Sequence, residues 1–283
     1  MGVHVASAAA DGQGGLARHI RACRSALLPG RRVPLRVGGA VVGWVMPDFA
    51  AALSARAGVT VAPPGLAVAP ERLEPLAAEL AAAGWFRWRG EAFDVRADPD
   101  GPVLARIDRG ALPSFGIGAV GVHVNGLVEQ PDGIRLWVAR RAANKALDPG
   151  KLDHIVAGGV PAGLTPAETL VKEAAEEAAI PASLARQAVA VARIDYAMER
   201  PEGLRRDRIL AYDLMLPPGF VPRAADGEVA GFELWPIGLV LAAVRDGDAF
   251  KFNVNLVLID LFLRRGLVTG AEAAALRAAL DRG

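Results

Sequence analysis

One stretch of this chain constrains its fold and chemistry more than any other: a glycine-rich turn followed by a run of acids. It reads Gly158-Gly159-Val160-Pro161-Ala162-Gly163-Leu164-Thr165-Pro166, then Ala167 through Ile180 with Lys172, Glu173, Glu176 and Glu177. On a helix, the offsets of zero, three and four residues put Glu173, Glu176 and Glu177 on one face. Carboxylates that close repel one another unless positive charge lies between them. An oxygen-seeking divalent cation, Mg²⁺ first and Mn²⁺ second, satisfies that need. A solvated acidic face is the usual fate of a charge run. The turn and helix start in front of this one favour the metal reading.

The helix is well marked at both ends. Thr165 is placed to cap it, Pro166 fits the first helical position, and Glu168 completes a capping box. Leu170 and Ala174 fall on the core side, and Pro181 stops the run.

The order Gly-Gly, Gly163, Lys172-Glu173-x-x-Glu176-Glu177-x-x-Ile180 resembles the signature box of Nudix hydrolases. That family cuts a diphosphate joined to another group, using metal held by the helix glutamates. By residue match, Glu173, Glu176 and Glu177 take the metal-ligand positions. Lys172 stands where the family usually has an arginine, a point charge in place of a planar fork. Leu164 replaces an early glutamate, the loop after Gly159 is one residue short, and Ala179 replaces a late glycine.

The flanks resemble a narrower group, the Nudix domain related to thiamine pyrophosphokinase. The residues that carry this are Phe115 to Gly126, Ile155 to Val160, Asp226-Gly227-Glu228-Val229 and Phe250 to Leu256. The resemblance implies a Nudix diphosphatase for thiamine diphosphate or its oxidised and damaged forms, yielding the monophosphate and phosphate. It also implies an N-terminal domain of uncharacterised role.

With 283 residues, two modest domains fit the length. The expected class is α/β: a Nudix α/β/α sandwich with a mixed sheet, preceded by a smaller α+β domain. The boundaries read as a flexible tail at 1–15, an N-terminal domain at 16–113, the Nudix hydrolase domain at 114–268 and a C-terminal helix at 269–283. Lys+Arg 32 against Asp+Glu 31 leaves a net charge of +1, so no global field draws nucleic acid or an anionic membrane. The single cysteine excludes an intrachain disulfide and points to the cytoplasm. The expected partner is a small-molecule diphosphate substrate, with a homodimer left open.

Local patterns predict a helix over 16–28, a hairpin of 33–37 with 40–45, and helices over 48–57 and 70–83. Residues 85–89 and 92–95 read as a second hairpin turning at Gly90-Glu91. Strands are expected over 118–128, 134–140, 154–157, 188–197, 209–216 and 228–234. Arg205-Arg206-Asp207-Arg208 reads as a solvated hairpin tip. Helices are expected over 236–244 and 253–265, and a second capping box, Thr269 to Glu272, opens a terminal helix.

Cleaving a diphosphate needs neutralised phosphoryl oxygens and an activated water. The general base is one of the helix glutamates or Glu228. Arg140, Arg141 and Lys151 are candidate phosphate cations, and the Gly158 and Gly159 backbone permits close approach. His154 is a candidate for the pocket border, while His123 reads as a strand residue. Tyr196, Trp137 and Phe252 read as core aromatics. The alternatives are hydrolysis of another nucleoside diphosphate derivative and, behind it, a Nudix-like ligand-binding protein without catalysis. Isopentenyl diphosphate isomerase chemistry is disfavoured, because it uses an active-site cysteine and Cys23 lies outside the box.

Overall fold

Period-two alternation from Val33 to Val45 builds a first sheet. Strands β1 (Val33–Val37) and β2 (Ala40–Val45) form a hairpin, and Gly38 and Gly39 both take positive φ at its turn. The computed structural model describes residues 15–225 and 227–282, so most of the expected N-terminal tail and Asp226 lie outside the described residues. Helix α1 (Ala17–Cys23) precedes the hairpin, and α2 (Pro47–Ser54), β3 (Val59–Ala62) and β4 (Gly65–Val68) follow it. The sheet runs β2-β1-β4-β3, with β1 and β4 parallel. A short 3₁₀ turn at Pro70–Arg72 leads into α3 (Leu73–Ala82), whose Leu73, Leu76, Ala77 and Leu80 are buried in the same core.

The expected hairpin of 85–89 with 92–95 does not form. Instead β5 (Ala92–Val95) pairs antiparallel with β6 (Ala105–Asp108). The reason is Asp108, which is 1% exposed. Its carboxylate accepts from the amides of Arg89 (2.9 Å), Gly90 (2.7 Å), Glu91 (3.2 Å) and Gly110 (2.8 Å). Amides committed to a side chain cannot join a strand ladder. A short helix, α4 (Leu112–Phe115), then leads to the main sheet.

The main sheet has β7 (Ala119–Gln130), β8 (Gly133–Arg141), β9 (Leu152–His154), β10 (Val156–Gly159), β11 (Val189–Arg200), β12 (Gly203–Met215) and β13 (Val229–Pro236). Its main path is β11-β12-β7-β8-β13, and β7 and β12 are parallel. Strand β7 forks. Its first half, Gly121 to Val124, pairs with β10, and its second half, Gly126 to Gln130, pairs with β8. Strand β9 pairs with β8. Arg205, Asp207 and Arg208 lie within β12, paired with β11, rather than at a solvated tip. They are partly covered and pair with acids or bases of their own, so the charge run did not mark a turn.

Helix α5 (Pro166–Ala178) covers one face of this sheet, packing Leu170 and Ala174 against Val122, Val124 and Val156. Each buried leucine contributes about 2 kcal/mol. The short α6 (Ala182–Ala185) follows it. On the other face lie α7 (Ile237–Asp246) and α8 (Val254–Arg264), the latter buried from Val254 to Phe262. Helix α1, with Leu16, Ile20 and Cys23, packs into that same layer beside the terminal helix α9 (Gly270–Leu280). Thr269 makes no side-chain cap to α9; Glu272 pairs with Arg245 instead. No described helix is long and apolar enough to cross a membrane.

Candidate active site

The capping box forms as the sequence suggests. The Thr165 hydroxyl accepts from the Glu168 amide at 3.2 Å, and the Glu168 carboxylate accepts from the Thr165 amide at 2.8 Å. This fixes the start of α5, and therefore where its acids fall along β10. Glu177, 8% exposed, accepts from the Ala157 amide at 2.9 Å. One turn earlier, Glu173 lies against Gly158. A Cβ on Gly158 would meet the Glu173 carboxyl carbon at 2.6 Å, so a larger residue there would displace the Glu173 side chain. Glu176 is the exposed member. The Lys172 ammonium spans the pair, at 3.1 Å from Glu173 and 2.6 Å from Glu176.

Burial pushes the Glu173 carboxyl above the usual range, with Lys172 offsetting part of the rise. The hydrogen bond to Glu176 and the pair with Glu173 hold the Lys172 ammonium above its ordinary value. Glu173 and Glu176 thus share one lysine. Carboxylate oxygens are hard donors of the kind that an oxygen-seeking divalent cation takes, and the Lys172 ammonium between Glu173 and Glu176 shows that the pair attracts positive charge.

Glu177 also borders a cleft of about 10 Å³ with Glu228, Lys145, Arg141, Asp153 and His154. Such a volume suits about one water-sized group. Glu228 pairs with Lys145. Burial would raise the Glu228 carboxyl, but the ammonium outweighs it and holds the group below its usual value.

Behind this cleft sits a second, fully buried cluster. His123 and His154 face each other with their Nδ1 atoms 2.9 Å apart, so one proton lies between them. Asp153 pairs with Arg141 at 2.8 Å and with Lys251 at 3.7 Å. Although burial opposes it, the neighbouring cations hold Asp153 at about 2. Burial lowers His154 to about 4 and His123 well below its ordinary value. His123, Asp153 and His154 offer ligand atoms within 4.8 Å of one another. Two cations already compensate the one carboxylate, so a further cation is poorly served there.

The other face of β10 opens on a cavity of about 110 Å³. Its floor includes His123, Arg205, Asp207, Lys251 and Asn253, and its wall includes Gly158 and Gly159. Phe93 and Arg109 come from the β5–β6 hairpin. A Cβ on Gly159 would meet Phe93 at 2.6 Å. The two glycines therefore serve opposite faces of one strand, one against Glu173 and one against Phe93.

The structure brings Lys172, Glu173, Glu176, Glu177, Gly158, Gly159, Glu228, His154 and Arg141 to adjoining positions around β10 and its small cleft. Arg140 is half-exposed and faces Glu233 at 3.4 Å, while Lys151 donates to the Asp248 carbonyl; neither borders the two cavities. Tyr196 is buried and donates to Asp207 at 2.5 Å, and Phe252 packs edge-on against Tyr196. Phe93, Arg109 and Asp153 escaped the sequence reading. Lys251 and Asn253 stood in a motif noted there, but with no role attached.

The sequence profile of the NUDIX domain family matches residues 120–253, which include β7, the glycine loop and α5. The chain carries a Nudix domain. Nudix hydrolase 20, chloroplastic, of Arabidopsis thaliana is 41% identical over 180 residues, which is 64% of this chain and 48% of that protein. Nudix hydrolase 24, chloroplastic, from the same plant is 42% identical over 180 residues, 64% of this chain and 49% of that protein. An uncharacterized protein of Saccharomyces cerevisiae is 30% identical over 207 residues, 68% of this chain and 59% of the yeast protein. The chain spans about half the length of the plant relatives it matches.

Proposed function

We propose that the Nudix domain is a Mg²⁺-dependent diphosphatase acting on thiamine diphosphate or its oxidised and damaged analogues. The observation that carries this reading is the stacking of Glu173 and Glu177 on β10, with Glu176 beside them and a ring-sized cavity across the strand. The thiamine branch is favoured by the flanking motifs, of which Lys251 and Asn253 line that cavity.

In this mechanism Glu173, Glu176 and Glu177 hold the metal. Bound there, magnesium or manganese neutralises phosphoryl oxygens and acidifies water. The chain's own groups do the rest. Gly158 and Gly159 let the substrate approach the backbone closely. The cavity takes the organic ring, with Phe93 as its aromatic wall. Glu228, kept ionised by Lys145, accepts a proton from the attacking water. Water adds across the P–O–P link, giving the monophosphate and inorganic phosphate. The single cysteine is buried, and burial pushes its thiol up to about 12, which accords with a structural role in a reduced compartment such as the cytoplasm.

Phosphate release with Mg²⁺ from thiamine diphosphate and its oxo form, beside a panel of nucleoside diphosphate derivatives, tests the proposal. Thiamine esters should turn over first. Preference for the nucleotide panel would reassign the substrate, and no turnover of either panel would remove the enzyme reading.

A further inference from the structure

The cations that line the cavity differ in how fully they are spent. Lys251 has 12% of its side chain exposed and faces Asp153. Arg208, at 13%, is held by both Asp195 oxygens at 2.7 Å and by Asp100 at 2.8 Å. Arg205, at 26%, pairs with Glu202 and Asp207. Arg109 is 54% exposed, and it pairs with Glu91 through a single contact of 2.8 Å from Nη1.

Arg109 is nonetheless held in place. Its guanidinium carbon lies 5.8 Å from the centre of the Phe93 ring. Its amide donates to the Glu91 carbonyl at 2.8 Å. The preceding residue is Asp108, whose buried carboxylate ties down the amides on both sides of this corner. The hairpin is fastened to the Nudix loop in turn, for the Ala162 amide donates to the Ala92 carbonyl at 2.8 Å. The corner also feels the catalytic acids. Arg109 is among the charges that lower Glu228, and Glu91 is among those that raise Glu173.

We propose that Arg109 is a substrate-binding residue that grips the diphosphate of the substrate, so that the region before the Nudix domain supplies part of the site. An arginine fork matches a phosphate geometry that a lysine meets only as a point charge. A cation fixed before binding loses little freedom when the anion arrives. The inference rests on the diphosphatase reading above.

The experiment measures binding of methylenediphosphonate with Mg²⁺ to the full chain by calorimetry, alongside phosphate release from the substrate that the wild type prefers. Arg109→Ala should weaken probe binding and raise KM by about tenfold or more, with kcat changed much less. Arg109→Lys should recover part of the loss. The melting temperature should stay put, because the side chain is largely solvated. Equal probe affinity in wild type and Arg109→Ala, with wild-type turnover intact, overturns the role of Arg109 and spares the function. A wild type that neither binds the probe nor cleaves any diphosphate overturns both.

Discussion

Two clusters of three potential ligands adjoin one small cleft beside β10, and they differ in exposure and in the charges paired with them. Glu173 and Glu176 share the Lys172 ammonium, so this pair carries more negative than positive charge. His123, Asp153 and His154 have one carboxylate between Arg141 and Lys251, so positive charge is in excess. The first cluster is partly open and the second is buried. Donor count alone would rank them equal. Charge balance and exposure favour the proposed cation binding at the first and a structural role for the second.

The largest effect that can break this contrast is on stability. Asp153→Asn leaves a guanidinium and an ammonium buried without their carboxylate. The expected loss is about 3 to 5 kcal/mol, read as a lower urea midpoint. A loss under about 1 kcal/mol would mean that the second cluster is not a structural element. Glu176→Gln is the converse test. That side chain is exposed, so the stability read from the urea midpoint should change by less than about 0.5 kcal/mol. Turnover with Mg²⁺ should drop about a hundredfold, near 2.7 kcal/mol of barrier. Unchanged turnover would sever the first cluster from the chemistry.

Acid titration sharpens the same contrast. His154 has a folded value of about 4 against an ordinary 6.5. Below 6.5 the unfolded chain takes up a proton that the folded protein refuses, so stability is lost as pH falls from 6.5 toward 4. Down to pH 5 the loss from His154 alone is about 2 kcal/mol. His123 is shifted in the same direction. Asp153 acts outside this window: its folded value of about 2 lies below 3.8, so its contribution is present above 3.8 and fades as pH falls toward 2. Urea midpoints at pH 7.5, 6.5 and 5 should decline for the wild type and decline less for His154→Gln. Parallel lines for the two proteins would show that the buried ring is not what senses acid.

How much of this was legible depended on how local the cause was. The α5 acids and the Thr165 capping box could be read because helix spacing and caps act within a few residues. The β1–β2 turn at Gly38-Gly39 is local in the same way. The β5–β6 pairing was hidden, since a single buried aspartate, Asp108, withdraws the amides of residues 89–91 from any ladder. The charge run of Arg205 to Arg208 looked like a tip because its counter-ions, Asp195, Asp100 and Glu202, come partly from distant segments. Arg109 had no local signal at all. The docking of Ala92 on Ala162 and of Phe93 beside Gly159, contacts distant in sequence, brings it to the cavity.

The smallest expected effect concerns the end of the helix that carries the acids. Ala179 closes α5 with φ of 52°, in the left-handed region. Its amide still donates to the Ala174 carbonyl as the cap. Alanine in that conformation costs about 1 kcal/mol that glycine avoids, though glycine also gains freedom in the unfolded chain. Ala179→Gly should therefore stabilise the fold by somewhat less than about 1 kcal/mol, a rise in melting temperature of about 2 °C. Glu176 and Glu177 sit in the last turn before this cap. If charge balance, not helix rigidity, governs the first cluster, the variant should melt later with kcat and Mg²⁺ dependence unchanged. A change in Mg²⁺ dependence would instead show that the strained cap tunes how Glu177 rests on β10, and the division between a binding cluster and a structural cluster would need redrawing.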